Sequence, residues 1–107
     1  MYTRLSRYTL RIEDERLWQE ALGQPEPAAV SLLAELEGFR GAWVSRSEAA
    51  DGEVDAVFFS LWETQAQAQA VRELLGERIA EEFAREGVGV AKPPNTEILT
   101  LLGGRLA

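Results

Sequence analysis

The chain has 107 residues, of which 46% are apolar and 27% charged, so we expect one globular domain spanning residues 1–107. It contains no cysteine and no histidine, which excludes disulfides, thiolate metal sites, histidine general bases and the usual haem ligand. The net charge of −7 argues against a nucleic-acid partner, which normally meets a basic stripe.

Three further features of the sequence bear on membrane contact, cellular location and the source of the protein. No segment approaches the roughly 20 apolar residues that cross a bilayer, so we expect no membrane contact. Residues 1–4 (MYTR) are not followed by the apolar stretch of a secretory signal, which favours a cytoplasmic location. Arginine far outnumbers lysine, and asparagine and methionine are scarce, a pattern that fits a thermophilic source.

The first predicted element is a strand over residues 3–12 (TRLSRYTLRI), because side chains of different character alternate there. One face carries Ser6, Tyr8, Leu10 and Ile12. Arg7 lies on the other face, in the middle of an expected central strand, where a charge needs a partner or a ligand. We expect either a salt bridge across a dimer interface or a contact to a polar substrate.

Two helical segments are predicted after this strand. Asp14 stands at the N-cap position of the first, and apolar residues follow at helical spacing as far as Gly23. After a proline-rich interruption, residues 27–37 form the second segment, with Gly38 at its C-terminal end.

A β-hairpin is predicted from residues 41–46 and 54–62, joined through the turn pair Asp51-Gly52. Both faces of its second strand are apolar, so both must be covered. One face carries Val57, Phe59 and Leu61, and the other carries Ala56, Phe58 and Trp62.

The remaining elements are one long helix and a last strand. Thr64 and Gln67 fit a capping box, in which their side chains satisfy free N–H groups at the helix start. The apolar phase then runs unbroken, which predicts one helix over residues 65–86 in which Gly76 costs about 1 kcal/mol relative to alanine. Pro93-Pro94 predicts an extended approach to a final buried strand at residues 98–102.

The order β-α-β-β-α-β predicts an α+β, ferredoxin-like fold with a four-stranded antiparallel sheet and helices on one face. The second sheet face is also apolar, and nothing remains in the chain to cover it. An uncovered face of that kind is a large adhesive patch. We therefore expect a homodimer in which two sheets pack face to face about a two-fold axis.

Few side chains can carry chemistry, and no catalytic residue can be named. The acidic residues of the long helix lie on its solvated face and show no metal-loop spacing, so we expect no metal ion. Tyr8 is a weak acid whose hydroxyl could face a cavity. Trp62 either packs in the core or lines a pocket, and Arg72 either stays at the surface or reaches the sheet edge.

Two short motifs carry a resemblance. Residues 37–41 (EGFRG) precede a strand, and Trp62-Glu63-Thr64 precede a helix. They resemble the antibiotic biosynthesis monooxygenase-like family of the dimeric α/β-barrel superfamily, whose members show P-G-F-x-G, a strand, W-E-S/T and a helix. Glu37 takes the place of the proline. The resemblance covers nearly the whole chain in element order and implies a dimeric α/β barrel.

The resemblance also implies chemistry. Some members of the family oxidise polyketide-type phenols with O₂ and no metal or cofactor, while others degrade haem. Both kinds place the ligand between helices and sheet, beside the tryptophan that matches Trp62. The haem degraders need a histidine near the position of Arg72, and the cofactor-free oxygenases use an asparagine near the position of Phe58. Of this set, only Trp62 carries over.

Two functions from different classes remain open. The first is a cofactor-independent monooxygenase for a small quinol-like or polyketide-like aromatic, with Trp62 stacked on the ring and Tyr8 and Arg7 contacting a phenolate. The second is a non-catalytic dimeric module that binds a small apolar ligand or only assembles. For either, we expect a cavity between the helices and the sheet with Trp62 in its wall.

Overall fold

The computed structural model describes residues 1–107 and has the predicted α+β, ferredoxin-like architecture. Four strands form one antiparallel sheet in the order β2-β3-β1-β4. The strands are β1 (Tyr2–Ile12), β2 (Phe39–Arg46), β3 (Glu53–Trp62) and β4 (Val88–Thr100). The helices are α1 (Glu15–Leu22), α2 (Ala28–Ala34) and α3 (Gln65–Arg85). None of the helices is long and apolar enough to cross a membrane.

The last strand is much longer than predicted, because β4 begins at Val88 rather than at residue 98. The residues predicted to form an extended approach to the strand are therefore themselves paired with β1 as part of β4. Pro93 and Pro94 fit into the strand because they lie at a register shift, where both stand opposite Tyr8. Since β4 is an edge strand and the shift is a bulge, the sheet tolerates two residues here that have no N–H group to donate.

The pleat of β3 divides the sheet into a covered face and an open face. The five β3 residues under the helices are all buried, while the intervening ones are half-buried or exposed. The buried set is Val54, Ala56, Phe58, Ser60 and Trp62. The hydrophobic core therefore lies on one side of the sheet, between β3 and β1 below and α2 and α3 above.

The open face carries an apolar patch that no helix of the chain covers. On β2 and β4, Trp43 is 55% exposed and Leu99 is 50% exposed. The strand register places them on the same face as the half-buried residues Leu5, Val57, Phe59 and Leu61. The alternation predicted for residues 54–62 is confirmed, because Phe58 and Trp62 face the helices.

The helix starts also follow the sequence. The Asp14 side chain accepts a hydrogen bond from the Leu17 backbone N–H at 3.1 Å, which caps α1. Thr64 Oγ1 accepts from the Gln67 N–H at 3.2 Å, and Gln67 Oε1 accepts from the Thr64 N–H at 3.0 Å. This reciprocal pair is the predicted capping box, and α3 continues from it through Gly76 without a break.

Replacing Thr64 with alanine removes the acceptor for the Gln67 N–H, so Thr64→Ala should lower the free energy of unfolding by about 0.5–2 kcal/mol. Urea denaturation monitored by circular dichroism measures this loss. Gln65→Ala, one position further along, is the matched control and should stay within about 0.5 kcal/mol of the unmodified protein. Equal stability of Thr64→Ala and the unmodified protein would show that the box does not hold the helix start.

Candidate functional site

A cleft of 960 Å³ opens between α3 and the half of the sheet formed by β1 and β4. The volume lies at the upper end of the range that small-molecule sites occupy. Its wall from β1 is made by Arg4 and Tyr8, and its wall from β4 includes Val90, Pro94 and Thr96. This is the region between helices and sheet in which the sequence predicts a cavity.

The cleft exists because one side of α3 carries little bulk. Gly76 and Ala80 follow Arg72 at intervals of four residues and therefore share its side of the helix. All three line the cleft. A Cβ atom built on Gly76 would meet only the Arg72 side chain, at 4.0 Å, so nothing else fills this space. The glycine that weakens α3 therefore also leaves room beside the sheet.

Tyr8 stands at the centre of the wall formed by β1. Its ring packs edge-on against Phe58 and Phe83, with ring centroids 5.4 Å and 5.3 Å away. These contacts hold the ring against the core while part of the residue remains accessible. Burial raises the pKa of the Tyr8 hydroxyl above its usual value, although the nearby guanidinium groups of Arg4 and Arg72 act in the opposite direction.

Arg4 is the most unusual polar group of the site. It is only 6% exposed, yet no carboxylate lies within 4.0 Å of its guanidinium. Burial lowers the pKa of Arg4, the neighbouring Arg72 lowers it further, and Tyr8 partly compensates. Two cations and a neutral phenol thus meet in one cleft of a protein whose net charge is −7.

The other charged residues that line the cleft belong to α3 and are exposed. Arg78 is paired with Glu35 at 3.1 Å and contributes no free charge. Glu73 and Glu77 also line the cleft but pair with neither Arg4 nor Arg72. Because exposed charges are screened by water, these two carboxylates and the likewise exposed Arg72 act on Arg4 more weakly than a buried partner would.

The structure brings together two of the five residues that the sequence nominates as ligand contacts. Tyr8 and Arg72 both line the cleft. Phe58 is buried behind Tyr8 and faces a smaller cavity of 180 Å³ on the other side of Phe83. It supports the Tyr8 ring without lining the cleft itself.

Trp62 does not line the cleft, which corrects the expectation that it forms the cavity wall. Its side chain is 0% exposed and packs edge-on against Phe39, with centroids 5.7 Å apart. Its Nε1 donates to Ser60 Oγ at 2.9 Å, and Ser60 Oγ donates to the Arg4 carbonyl at 3.4 Å. Trp62 is therefore a core residue that ties β3 to the strand carrying Arg4.

Arg7 directly precedes Tyr8 in β1. Because neighbouring side chains of a strand point to opposite faces, Arg7 lies on the open face, away from the cleft. It stands opposite Val57 on β3 and Asn95 on β4. Arg7 is exposed, and no carboxylate of its own chain lies within 4.0 Å. It cannot contact a ligand that occupies the cleft.

Arg4 was not singled out from the sequence, although the signal for it was present. Arg4 precedes Ser6 by two residues and Tyr8 by four, so the alternation of side chains along a strand already places all three on one face. A charge at such a position contradicts the apolar character of a covered face. That contradiction identifies Arg4 as a functional candidate.

One carboxyl group has a shifted pKa, but it lies outside the cleft. Burial, together with the neighbouring Glu82, raises the pKa of Glu86. Glu86 lines the smaller cavity with Trp18 and Phe58, and not the cleft. No group of three or more acidic side chains is placed to hold a metal ion. The cleft therefore offers a ligand the guanidinium groups of Arg4 and Arg72 and the Tyr8 phenol, besides the exposed carboxylates of Glu73 and Glu77.

The raised pKa of Tyr8 predicts a spectroscopic result. The phenolate absorbance that is missing from a Tyr8→Phe variant should belong to a transition above pH 10.0, the usual midpoint for tyrosine. Because the unfolded chain ionises first, Tyr8 should also make the fold less stable as the pH rises above about 10. A difference titration of the two proteins tests this, and a missing transition at or below pH 10 would contradict it.

Comparison with known proteins identifies solved structures that have a similar fold. No protein-family model matches the sequence, and no curated protein matches it significantly. A candidate antibiotic biosynthesis monooxygenase from Nitrosomonas europaea aligns with a TM-score of 0.63 at 15% identity, over 96% of this chain and 100% of that chain. It is a solved structure, and the alignment covers nearly the full length of both chains.

Two further solved structures come from Streptomyces. A monooxygenase from the gene ActVA-Orf6 of Streptomyces coelicolor, in complex with nanaomycin D, aligns with a TM-score of 0.54 at 19% identity, over 99% of this chain and 91% of that one. SnoaB, a cofactor-independent oxygenase from Streptomyces nogalater, aligns with a TM-score of 0.55 at 12% identity, over 96% and 94%. The predicted resemblance is thus confirmed at the level of fold: this chain is built like solved antibiotic biosynthesis monooxygenases.

Proposed function

We propose that this protein is a cofactor-independent monooxygenase that oxidises a small phenolic or quinol-like aromatic in the cleft between α3 and the sheet. The observation that carries the proposal is the meeting of Tyr8, Arg72 and Arg4 in a cleft large enough for a fused aromatic ring. The shared fold with SnoaB and with the ActVA-Orf6 monooxygenase supports it.

The role of the cleft is to favour the anion of the substrate. Arg72 and the Tyr8 hydroxyl would contact the phenol oxygen, and the positive field of the two arginines would lower the pKa of the bound phenol. Stabilisation of a developing oxyanion by preorganised donors is among the largest contributions that an active site makes. A substrate held as phenolate needs no strong protein base.

The phenolate itself then supplies the electrons. It transfers one electron to O₂, and the radical pair combines at a ring carbon to form a peroxide. Protonation of the peroxide and loss of the ring proton break the O–O bond, which leaves a quinone carbonyl and releases one water. One phenol and one O₂ thereby give one quinone and one water, with no external reductant.

A second candidate is a non-catalytic module that binds an aromatic ligand at the same place. The position of Glu86 favours it, because this carboxyl, whose pKa burial raises, lines the smaller cavity and cannot take a phenol proton in the cleft. The two functions separate in one measurement, since a binding module takes up ligand without consuming oxygen.

We also propose that two copies pair through their open faces. The apolar residues there remain half-exposed or exposed in the single chain, which is costly in water. Arg7 lies on the same face without a carboxylate partner of its own, which fits an ion pair across the interface. A two-fold pairing covers the patch on both copies at once.

Oxygen uptake with a panel of quinols and naphthols tests the catalytic function. The protein should accelerate uptake over the protein-free rate, and Tyr8→Phe and Arg72→Gln should each lower the acceleration by about tenfold to a hundredfold. Arg16→Gln removes an exposed arginine on α1 and should leave the rate unchanged. Binding of these compounds with no uptake above the protein-free rate would favour the binding module instead.

Sedimentation equilibrium at micromolar concentration tests the pairing. The unmodified protein should sediment at twice the chain mass. Phe59→Asp should shift it toward the monomer, because an unpaired charge in the interface costs several kcal/mol. Leu74→Asp is the matched control, since Leu74 is a 58% exposed leucine on α3 away from the open face. If the unmodified protein sediments only with the mass of a single chain, the dimer is disproved.

A further inference from the structure

Arg4 is a buried residue whose charge no carboxylate of the chain neutralises, although none of its nitrogen atoms is both buried and without a hydrogen-bond partner. Burial of an ion is expensive unless a counter-charge and hydrogen bonds compensate it. Arg4 is 6% exposed, lines the cleft and has no carboxylate within 4.0 Å. Its strand neighbours across the sheet, Ser60 and Ile98, carry no charge either.

The surroundings of Arg4 increase the positive charge. The ionisable groups that act on its pKa are Tyr8 and Arg72, and Arg72 is a second cation that pairs with no carboxylate. Glu73 and Glu77 lie on the exposed rim and are not among the groups that perturb Arg4. Arg4 is therefore the one buried charge that lines the cleft, and Arg72 is an exposed cation that acts on it.

The rest of the wall suits an aromatic body. Phe83 and Ile79 are buried residues of α3 that line the cleft, and Val90 and Pro94 line it from β4. A ligand that lies against these side chains would carry its charged group toward β1, where Arg4 is. Guanidinium binds carboxylates in a planar, two-point arrangement, which suits a carboxylate attached to a flat ring.

We propose that the ligand of this cleft is a hydroxylated aromatic carboxylic acid, with its carboxylate bound by Arg4 and its phenol oxygen beside Arg72 and Tyr8. The inference rests on the proposed function only in taking the cleft as the ligand site. Two cations are then matched by two oxyanions, one permanent and one formed by loss of the phenol proton. A neutral phenol would leave Arg4 without a counter-charge.

Isothermal titration calorimetry with hydroxynaphthoate and hydroxynaphthamide tests the proposal, because the two ligands differ only in the charge of one substituent. The carboxylate should bind the unmodified protein about tenfold more tightly than the amide, or better still. Equal affinities for the two ligands would overturn the proposal.

Four variants identify the residue responsible. Arg4→Met should abolish the preference for the carboxylate, and Arg4→Lys should keep part of it because the charge remains. Arg72→Gln changes an exposed residue, so it should fold normally, and it should weaken binding of both ligands through the phenol oxygen. Arg85→Gln, on the same helix and outside the cleft, should leave both affinities unchanged. An Arg4→Met variant that keeps the preference would overturn the proposal.

Thermal melting without ligand distinguishes a binding role of Arg4 from a structural one. Since methionine removes an unneutralised buried charge, Arg4→Met should melt at the same temperature as the unmodified protein or higher. A lower melting temperature would show that the fold itself neutralises Arg4 and would count against the proposal.

Failure of this inference and failure of the proposed function give different results. If hydroxynaphthamide and naphthols are oxidised as well as the carboxylate, the inference is wrong and the monooxygenase function stands. If the carboxylate binds in an Arg4-dependent manner and no compound supports oxygen uptake, the inference stands and the monooxygenase function is wrong.

Discussion

The register between β1 and β3 is the constraint on which the rest of this structure depends. The two central strands pair without a shift from Tyr2 opposite Trp62 to Arg11 opposite Glu53. Because strand side chains alternate, this pairing decides for both strands which residues lie under the helices and which lie on the open face. A slip of β1 by one residue would bury Arg7 and turn Leu10 toward the open face. The cleft and the apolar open face are two consequences of the same register.

Side chains do not fill the space between α3 and the sheet at the cleft. Gly76 and Ala80 remove bulk from α3, and the bulge opposite Tyr8 bends β4 where it borders the same space. Arg4 adds an unneutralised charge where an apolar residue would be expected. Each feature lowers stability by itself, and their coincidence around one volume is typical of a site under functional constraint.

The site differs from the one that the resemblance implies. In the family pattern, the ligand lies beside the tryptophan that matches Trp62, whereas this chain seals Trp62 in the core against Phe39. Phe58 takes the position expected for a polar residue and serves as backing for the Tyr8 ring. The polar groups that line the cleft here include Arg4 and Tyr8 on β1, which face α3. The fold is shared with solved monooxygenases, and a shared fold does not by itself determine which side chains line the cleft.

The sequence by itself determined the order of elements, both predicted helix caps and the two faces of β3. These features depend on residues close together in the chain, such as the Thr64 and Gln67 pair, so local patterns are sufficient to predict them. The tertiary structure decided the length of β4, the sealing of Trp62 and the meeting of Arg4 with Arg72. Pro93 and Pro94 argue against a strand locally, and only the bulge against β1 admits them. Arg4 and Arg72 lie far apart in the sequence. They line the same cleft only because α3 crosses the sheet beside β1, and a local sequence pattern cannot predict how distant segments are arranged.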